Sequence, residues 1–143
     1  MSPTGISVLD NATQDVNIWL NEISEQAHWT DKNRSYRLLR STLHALRDWL
    51  GVDEAADLGA QLPMLVRGIY YEGWNPSATP VPERELDEFY ERIQRDFKTD
   101  PLRNPQLAVS AVFAVLSNHV TRGEIDQIIN TMRKELRALW PAA

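Results

Sequence analysis

Residues 43–63 read LHALRDWLGVDEAADLGAQLP, and this stretch indicates the fold class. Three of its leucines recur at spacings of three and four, which places them on one stripe of a helix: Leu43, Leu46 and Leu50. Gly51 is expected to end that helix in the left-handed conformation that glycine adopts at little cost. A further helix follows, and Pro63 either kinks it or begins a new helical turn. Nothing in the stretch alternates with the period of a strand.

The same pattern recurs 70 positions later, at residues 113–133, which read FAVLSNHVTRGEIDQIINTMR. Laying residues 16–71 over residues 86–141 without a gap makes seventeen of the 56 pairs apolar in both copies. About 10 such pairs are expected from an apolar content of 43%. Four pairs are identical: Ile23/Ile93, Leu46/Leu116, Glu54/Glu124 and Arg67/Arg137. What repeats is therefore the pattern of burial.

These observations predict an all-α fold, a helical bundle of two tandem pseudo-symmetric three-helix units that share one core. The units are residues 14–71 and 84–141, with about six helices in total. Residues 72–83 form the linker, because three prolines and a glycine within eleven positions exclude a continuous helix. Residues 1–13 are small and polar, and we predict a flexible N-terminal arm with the first helix beginning near Thr13.

Five side chains suggest where later helices begin. Thr30 is the predicted N-cap of the second helix. Asp100 and Asn104 are each followed by proline, which suits an N-cap before the first helical position. Thr121 and Glu124 have the spacing of a capping box, in which each side chain bonds the other residue's backbone N–H.

Composition narrows the function classes. The chain has 143 residues, enough for one domain with a real core, and a net charge of -5 that makes nucleic-acid binding unlikely. Without cysteine it can form no disulfide, thiolate nucleophile or zinc–thiolate site. No apolar run is long enough for a membrane span, and the first ten residues lack the pattern of a signal peptide. We therefore expect a cytoplasmic protein.

A basic stripe on the second helix is the candidate anion-binding site. It consists of Arg37, Arg40, His44 and Arg47, and such a stripe can grip a phosphate or an acidic partner. The competing interpretation is a solvated helix flank, which we favour. The positions 70 residues later carry no positive charge: Leu107, Ser110, Ala114 and Ser117.

A cluster of aromatic residues and an arginine marks the candidate partner face, where the first unit meets the linker. Its members are Arg67, Tyr70, Tyr71 and Trp74, residue types that are enriched at binding hot spots. The same residues could instead hold the linker against the bundle. Tyr70 aligns with Trp140, which suggests a core role, and we favour Trp74 docking inward.

Carboxylates and histidines offer little metal or catalytic chemistry. Glu25 and His28 have the spacing found in di-iron bundles, but the equivalent positions of the second unit are Arg95 and Lys98, so we interpret the pair as a helix-end surface feature. Two acidic clusters at helix starts are explained by the helix dipole: Asp53, Glu54 and Asp57, then Glu124 and Asp126. We predict no catalytic, metal-binding or cofactor-binding residues.

Three phrases of the first unit resemble a known bacterial family. They are LHALRDWLG at 43–51, EAADLGAQLP at 54–63 and LVRGIYYEGW at 65–74, and together they look like the proteins grouped as domain of unknown function 2267 (DUF2267). The second unit is similar at 115–116, 123–124, 128 and 136–140, and departs where NTMR at 130–133 replaces AQLP. The resemblance implies tandem helical units in a bacterial cytoplasmic protein, and carries no activity or catalytic residues.

The sequence thus favours a non-enzymatic protein-interaction or assembly module, with a protein partner or self-association as a possible homodimer. The alternative is a small helical domain that binds an anionic ligand at the basic stripe. A catalytic constellation is not visible.

Overall fold

The computed structural model describes residues 3–142, and within them the chain is all-helical, without a β-strand. Met1 and Ser2, which belong to the predicted arm, lie outside the described residues. The eight α-helices are α1 Ser7–Ala27, α2 Lys32–Trp49, α3 Val52–Ala60, α4 Met64–Tyr71, α5 Leu86–Gln94, α6 Pro105–His119, α7 Arg122–Asn130 and α8 Lys134–Arg137. Short 3-10 helices lie at Pro76–Ala78 and Arg95–Phe97.

The described residues form eight helices rather than the predicted six, because the third predicted helix of each copy is divided into two: α3 and α4, then α7 and α8. Pro63 is extended and serves as the N-cap of α4, so the proline begins a new helix rather than kinking α3. Arg133 has the same role before α8. In both places the hydrophobic stripe continues across a break in the backbone, which periodicity alone does not reveal.

Three predicted helix boundaries need correction. The first helix begins at Ser7 rather than near Thr13. Its first turn is mostly exposed and lies before the buried stripe, so the hydrophobic pattern does not mark it. The second helix is capped by Asp31 rather than Thr30, since the Asp31 carboxylate accepts from two backbone N–H groups. Gly51 has a φ of -65° and caps the start of α3, so the end of α2 needs no left-handed glycine.

The N-caps of the second half are correct in two places and wrong in one. Asn104 accepts from the Leu107 N–H ahead of α6, and Thr121 accepts from the Glu124 N–H ahead of α7. Asp100 caps no helix, because its carboxylate is taken by two arginines of α2.

The core runs through the whole bundle. In every one of the seventeen apolar pairs that the 70-residue offset aligns, both side chains are buried or half-buried. Helix α2 packs against α1, α4, α5 and α6, and α1 packs against α2, α4 and α6. Within residues 3–142, none of the helices is both long enough and apolar enough to cross a membrane.

The linker lies along the C-terminal part of α2. The Val81 N–H donates to the Asp48 carbonyl at 2.9 Å, and the guanidinium of Arg84, the residue that follows the linker, donates to the Trp49 carbonyl at 2.9 Å. The linker is thus attached to the helix that carries the predicted basic stripe.

Candidate functional site

Arg47 is the most deeply buried member of the basic stripe, with 5% of its side chain exposed. One of its terminal nitrogens donates to the carbonyls of Tyr70 and Glu72, each at 2.9 Å, and its Nε donates to Asp48. Carbonyls at a helix end have no partner within the helix and need one elsewhere. Arg47 supplies it, and so fastens the end of α4 and the start of the linker to α2.

His44 and Arg40 serve the same piece of chain. His44 Nε2 lies 2.7 Å from the Ile69 carbonyl, which can only accept, so Nε2 donates. Burial lowers the pKa of His44, and the charges of Arg47 and Arg40 lower it further, which makes the ring neutral at pH 7. Arg40 Nε donates to the Glu72 carboxylate at 2.8 Å, a bond that raises the pKa of Arg40.

Arg37 faces a different loop and shares its partner with Arg34. The Asp100 carboxylate accepts from Arg34 at 2.6 Å and from Arg37 at 2.5 Å. The hydrogen bond from Arg37 and the charges of both arginines lower the pKa of Asp100 to about 2. The Arg34 guanidinium also lies over the rings of Trp29 and Phe97, at 4.6 and 5.1 Å from their centroids.

The stripe is therefore divided between two internal tasks. Arg37 is bound to the loop before α6, whereas Arg40, His44 and Arg47 bind the chain between Ile69 and Glu72. The sequence did not single out Arg34 or identify Asp100 as its partner. No local signal could have paired them, because 66 positions separate the two residues.

The predicted partner face lies largely inside the protein. Tyr70 is fully buried, its hydroxyl donates to the Ala55 carbonyl at 2.7 Å, and burial raises its pKa. Tyr71 lies between Tyr70 and Trp74, with ring centroids 5.0 and 5.3 Å away. Trp74 packs against the core, which confirms the prediction that it docks inward.

Arg67 is exposed as a residue, but its guanidinium is engaged. It donates to the carbonyls of Gly59 at 3.0 Å and Leu62 at 2.9 Å. It thus closes the end of α3 from the next helix, and its donors face the protein.

Two apolar side chains at the start of α4 are exposed instead. Met64 is 47% exposed and Leu65 is 41% exposed. The residues 70 positions later are Lys134 and Glu135, both charged. The hydrophobic pattern groups Leu65 with Val66 and Ile69 as one apolar set, so it does not distinguish the exposed Leu65 from the buried Val66.

The remaining carboxylates separate into surface pairs and one buried group. His28 ends α1 with a φ of 58°, and both Glu25 and His28 are exposed, in keeping with a helix-end pair. Across the described part of the chain, no group of three metal-ligating side chains is placed to hold an ion. Among residues 3–142, Glu124 is the one acidic residue that is buried. It lines a crevice of about 450 Å³ between α3 and α7.

A family model described as an uncharacterized conserved protein (DUF2267) matches residues 16–139. The chain belongs to this family. The match includes the basic stripe, the aromatic cluster, the α4 pair and the α3–α7 crevice of this DUF2267 protein. No curated protein sequence matches the chain.

Proposed function

We propose that this DUF2267 protein is a non-enzymatic interaction module that binds a protein partner through the first turn of α4. The observation that carries the proposal is the exposure of Met64 and Leu65. Covering adjacent apolar side chains removes their surface from water, which is the main driving force of association. A cytoplasmic site of action and a bacterial origin are part of the same proposal.

The offset positions support this choice of surface. Where α4 begins with Met64 and Leu65, α8 begins with Lys134 and Glu135, although both helices bury their next apolar residue equally well. The exposed apolar pair is therefore no requirement of the helix itself.

We also propose that the eight helices form two tandem pseudo-symmetric units, α1–α4 and α5–α8. Arg67 and Arg137, which the offset aligns, support this most directly. Arg67 donates to the Leu62 carbonyl, and Arg137 donates to the carbonyl of Met132, the aligned residue, at 2.7 Å. Equivalent side chains thus make equivalent bonds across the same helix break.

Anion binding at the basic stripe is the weaker proposal. Its three arginines already donate to acceptors of the same chain, and the ring of His44 is neutral at pH 7. A ligand would have to displace those acceptors and repeat their bonds, which costs affinity.

Site-specific photo-crosslinking in living cells tests the interaction module. A photo-reactive amino acid at position 65 should give a discrete crosslinked product, and the same group at position 135 should not. A product of twice the chain mass identifies a second copy as the partner, and any other mass identifies a different protein.

The double variant Met64→Lys, Leu65→Glu, which carries the residues of α8 on α4, gives a matched control. It should fold with an unchanged melting temperature, because both side chains are exposed. A photo-reactive group at position 68 should give a crosslinked product in the parent chain and none in this variant. Equal products from positions 65 and 135 in the parent chain would contradict the proposal.

A further inference from the structure

The crevice between α3 and α7 has a polar, acidic lining. Asp57 and Gln61 contribute from the α3 side, and Thr121, Glu124 and Gln127 contribute from the α7 side. The smaller lining residues are Ala60 and Gly123. The crevice borders the segment that leads into Met64.

Gln61 takes over the capping bond that the sequence assigns to Glu124. The Thr121 N–H donates to Gln61 Oε1 at 2.9 Å, and Gln61 Nε2 donates to the Thr121 hydroxyl at 3.1 Å. Half of the predicted capping box is present, because the Thr121 hydroxyl accepts from the Glu124 N–H. The reciprocal half is absent, since the Thr121 N–H is already satisfied.

The Glu124 carboxyl is consequently left without a partner among the described residues. The residue is 6% exposed, and its buried Oε2 accepts no hydrogen bond from residues 3–142. Burial raises the pKa of Glu124, and the negative charges of Asp57 and Glu54 raise it further. A buried, unpaired carboxylate is costly, and a protein that retains one departs from the usual rule.

Glu54, the aligned and identical residue, lies differently. It is half-buried, and its carboxylate lies over Gly51, the N-cap of its own helix. The deep burial of the carboxyl is thus a feature of the Glu124 environment rather than of a glutamate at this helix position.

We propose that the α3–α7 crevice binds one basic side chain of a partner protein, with Glu124 and Asp57 as its acceptors. An arginine suits the crevice best, because a planar guanidinium offers five donors to two carboxylates and the Gln127 amide. A metal ion suits it less well, since among the described residues no three histidine, aspartate or glutamate side chains are placed to hold one. The inference rests on the proposed function in taking the cation from a protein.

The test is a ¹⁵N NMR titration of the full chain with acetyl-Ala-Arg-Ala-amide. Saturable shifts are expected at the amides of Thr121, Gly123 and Gln127. The matched peptide with citrulline, which keeps the shape and removes the charge, should cause none. Equal shifts with both peptides would overturn the proposal.

Two variants separate the crevice from general electrostatics. Glu124→Gln should lower the affinity for the arginine peptide by about tenfold, as expected for the loss of a charge-assisted hydrogen bond. Asp126→Asn removes one charge from the same helix, outside the crevice, and should change the affinity less than twofold. Equal losses in the two variants would also overturn the proposal.

The outcome is independent of the α4 surface. The double variant Met64→Lys, Leu65→Glu should bind the arginine peptide unchanged, because the peptide carries no large apolar side chain. Intact peptide binding with failed crosslinking at position 65 would contradict the proposed function alone. Failed peptide binding with successful crosslinking would contradict the crevice alone.

Discussion

Helices α2 and α6 are aligned by the 70-residue offset and bury apolar residues at the same positions, yet their polar sides differ. On α2 the side that faces the end of α4 carries Arg40, His44 and Arg47, which bind backbone carbonyls and Glu72. On α6 the aligned residues are Ser110, Ala114 and Ser117.

The difference shows that two helices with the same pattern of buried residues can pack beside different segments of the chain. Beside α2 the chain continues into the linker, and long basic side chains hold it in place. Beside α6, short side chains leave a groove of about 290 Å³ against Leu139, Trp140 and Pro141. The apolar stripe determines which side of each helix is inside, and the flanking residues determine what is held next to it.

The largest expected effect comes from Arg47→Met. It removes the donor of the buried hydrogen bond to the Tyr70 carbonyl and of the part-buried bond to the Glu72 carbonyl, so we expect a loss of about 3 kcal/mol in the free energy of unfolding. Ser117→Ala, at the aligned position, should change it by less than about 0.5 kcal/mol, because that hydroxyl has no partner within residues 3–142. Urea unfolding measures both, and similar losses would break the comparison of α2 with α6.

Gly59→Ala should have the next largest effect. Its new methyl group would overlap the ring of Tyr71, a position that the offset aligns with Pro141. Tyr71 and Trp74 would have to repack, which should lower the free energy of unfolding by about 1–3 kcal/mol. Gly68→Ala is the matched control on α4, where a methyl group meets open space. It should gain about 0.5–1 kcal/mol from helix propensity. Thermal unfolding followed by circular dichroism distinguishes the opposite signs, and a gain in both variants would contradict the contact.

Glu124→Gln sharpens the comparison of the two aligned glutamates. Because the folded pKa of Glu124 is raised above its ordinary value of 4.5, the ionised form costs stability that the protonated form does not. The variant should equal the parent below pH 4.5 and become more stable as the pH rises through the folded pKa, by about 1 kcal/mol or less at pH 7. Glu54→Gln should give no comparable gain at pH 7. Chemical unfolding at pH 4 and pH 7 checks the sign.

Asp100→Asn is expected to have the smallest effect, because its carboxylate is solvent-accessible and screened. Asp100, in the loop before α6, pairs with Arg34 and Arg37 of α2. The residues that the 70-residue offset aligns with these three are uncharged: Thr30, Asn104 and Leu107. With the folded pKa lowered to about 2, the stabilisation is complete above pH 3.8 and is lost as the pH falls through about 2.

The variant should therefore melt below the parent at pH 7, and the gap should close in that acidic window and shrink in high salt. Asp126→Asn, which removes an exposed pair with Arg122, should lower the melting temperature less. A gap that persists at pH 2 would contradict the role of the ionised carboxylate.

Much of the fold could be predicted because helical periodicity is a local property. Leu43, Leu46 and Leu50 are buried where their spacing places them, and the linker interrupts the helices where its prolines require it. Boundaries were less certain, since Asp31 competes with its neighbour Thr30 for the same capping role. Such contests are decided by small differences in local geometry.

The candidate sites were harder to predict because their partners are distant in sequence. The basic residues lie on α2, as their helical spacing predicts, but apart from Asp48 their acceptors are 23 to 63 residues away in sequence. Tyr70 was expected in the core and is there, whereas Met64 and Leu65 became visible as a surface pair only with the exposure of each side chain known.

The sequence by itself determined the all-helical class and the side of each helix that faces the core, since both follow from residue spacing along a short stretch of chain. The tertiary structure alone decided that Arg47 holds the end of α4 and that Gln61 takes the N–H of Thr121, 60 residues away. Hydrogen bonds depend on which groups folding brings within reach. Because Gln61 accepts from the Thr121 N–H, the Glu124 carboxyl has no hydrogen-bond partner within residues 3–142, and no local sequence pattern predicts this.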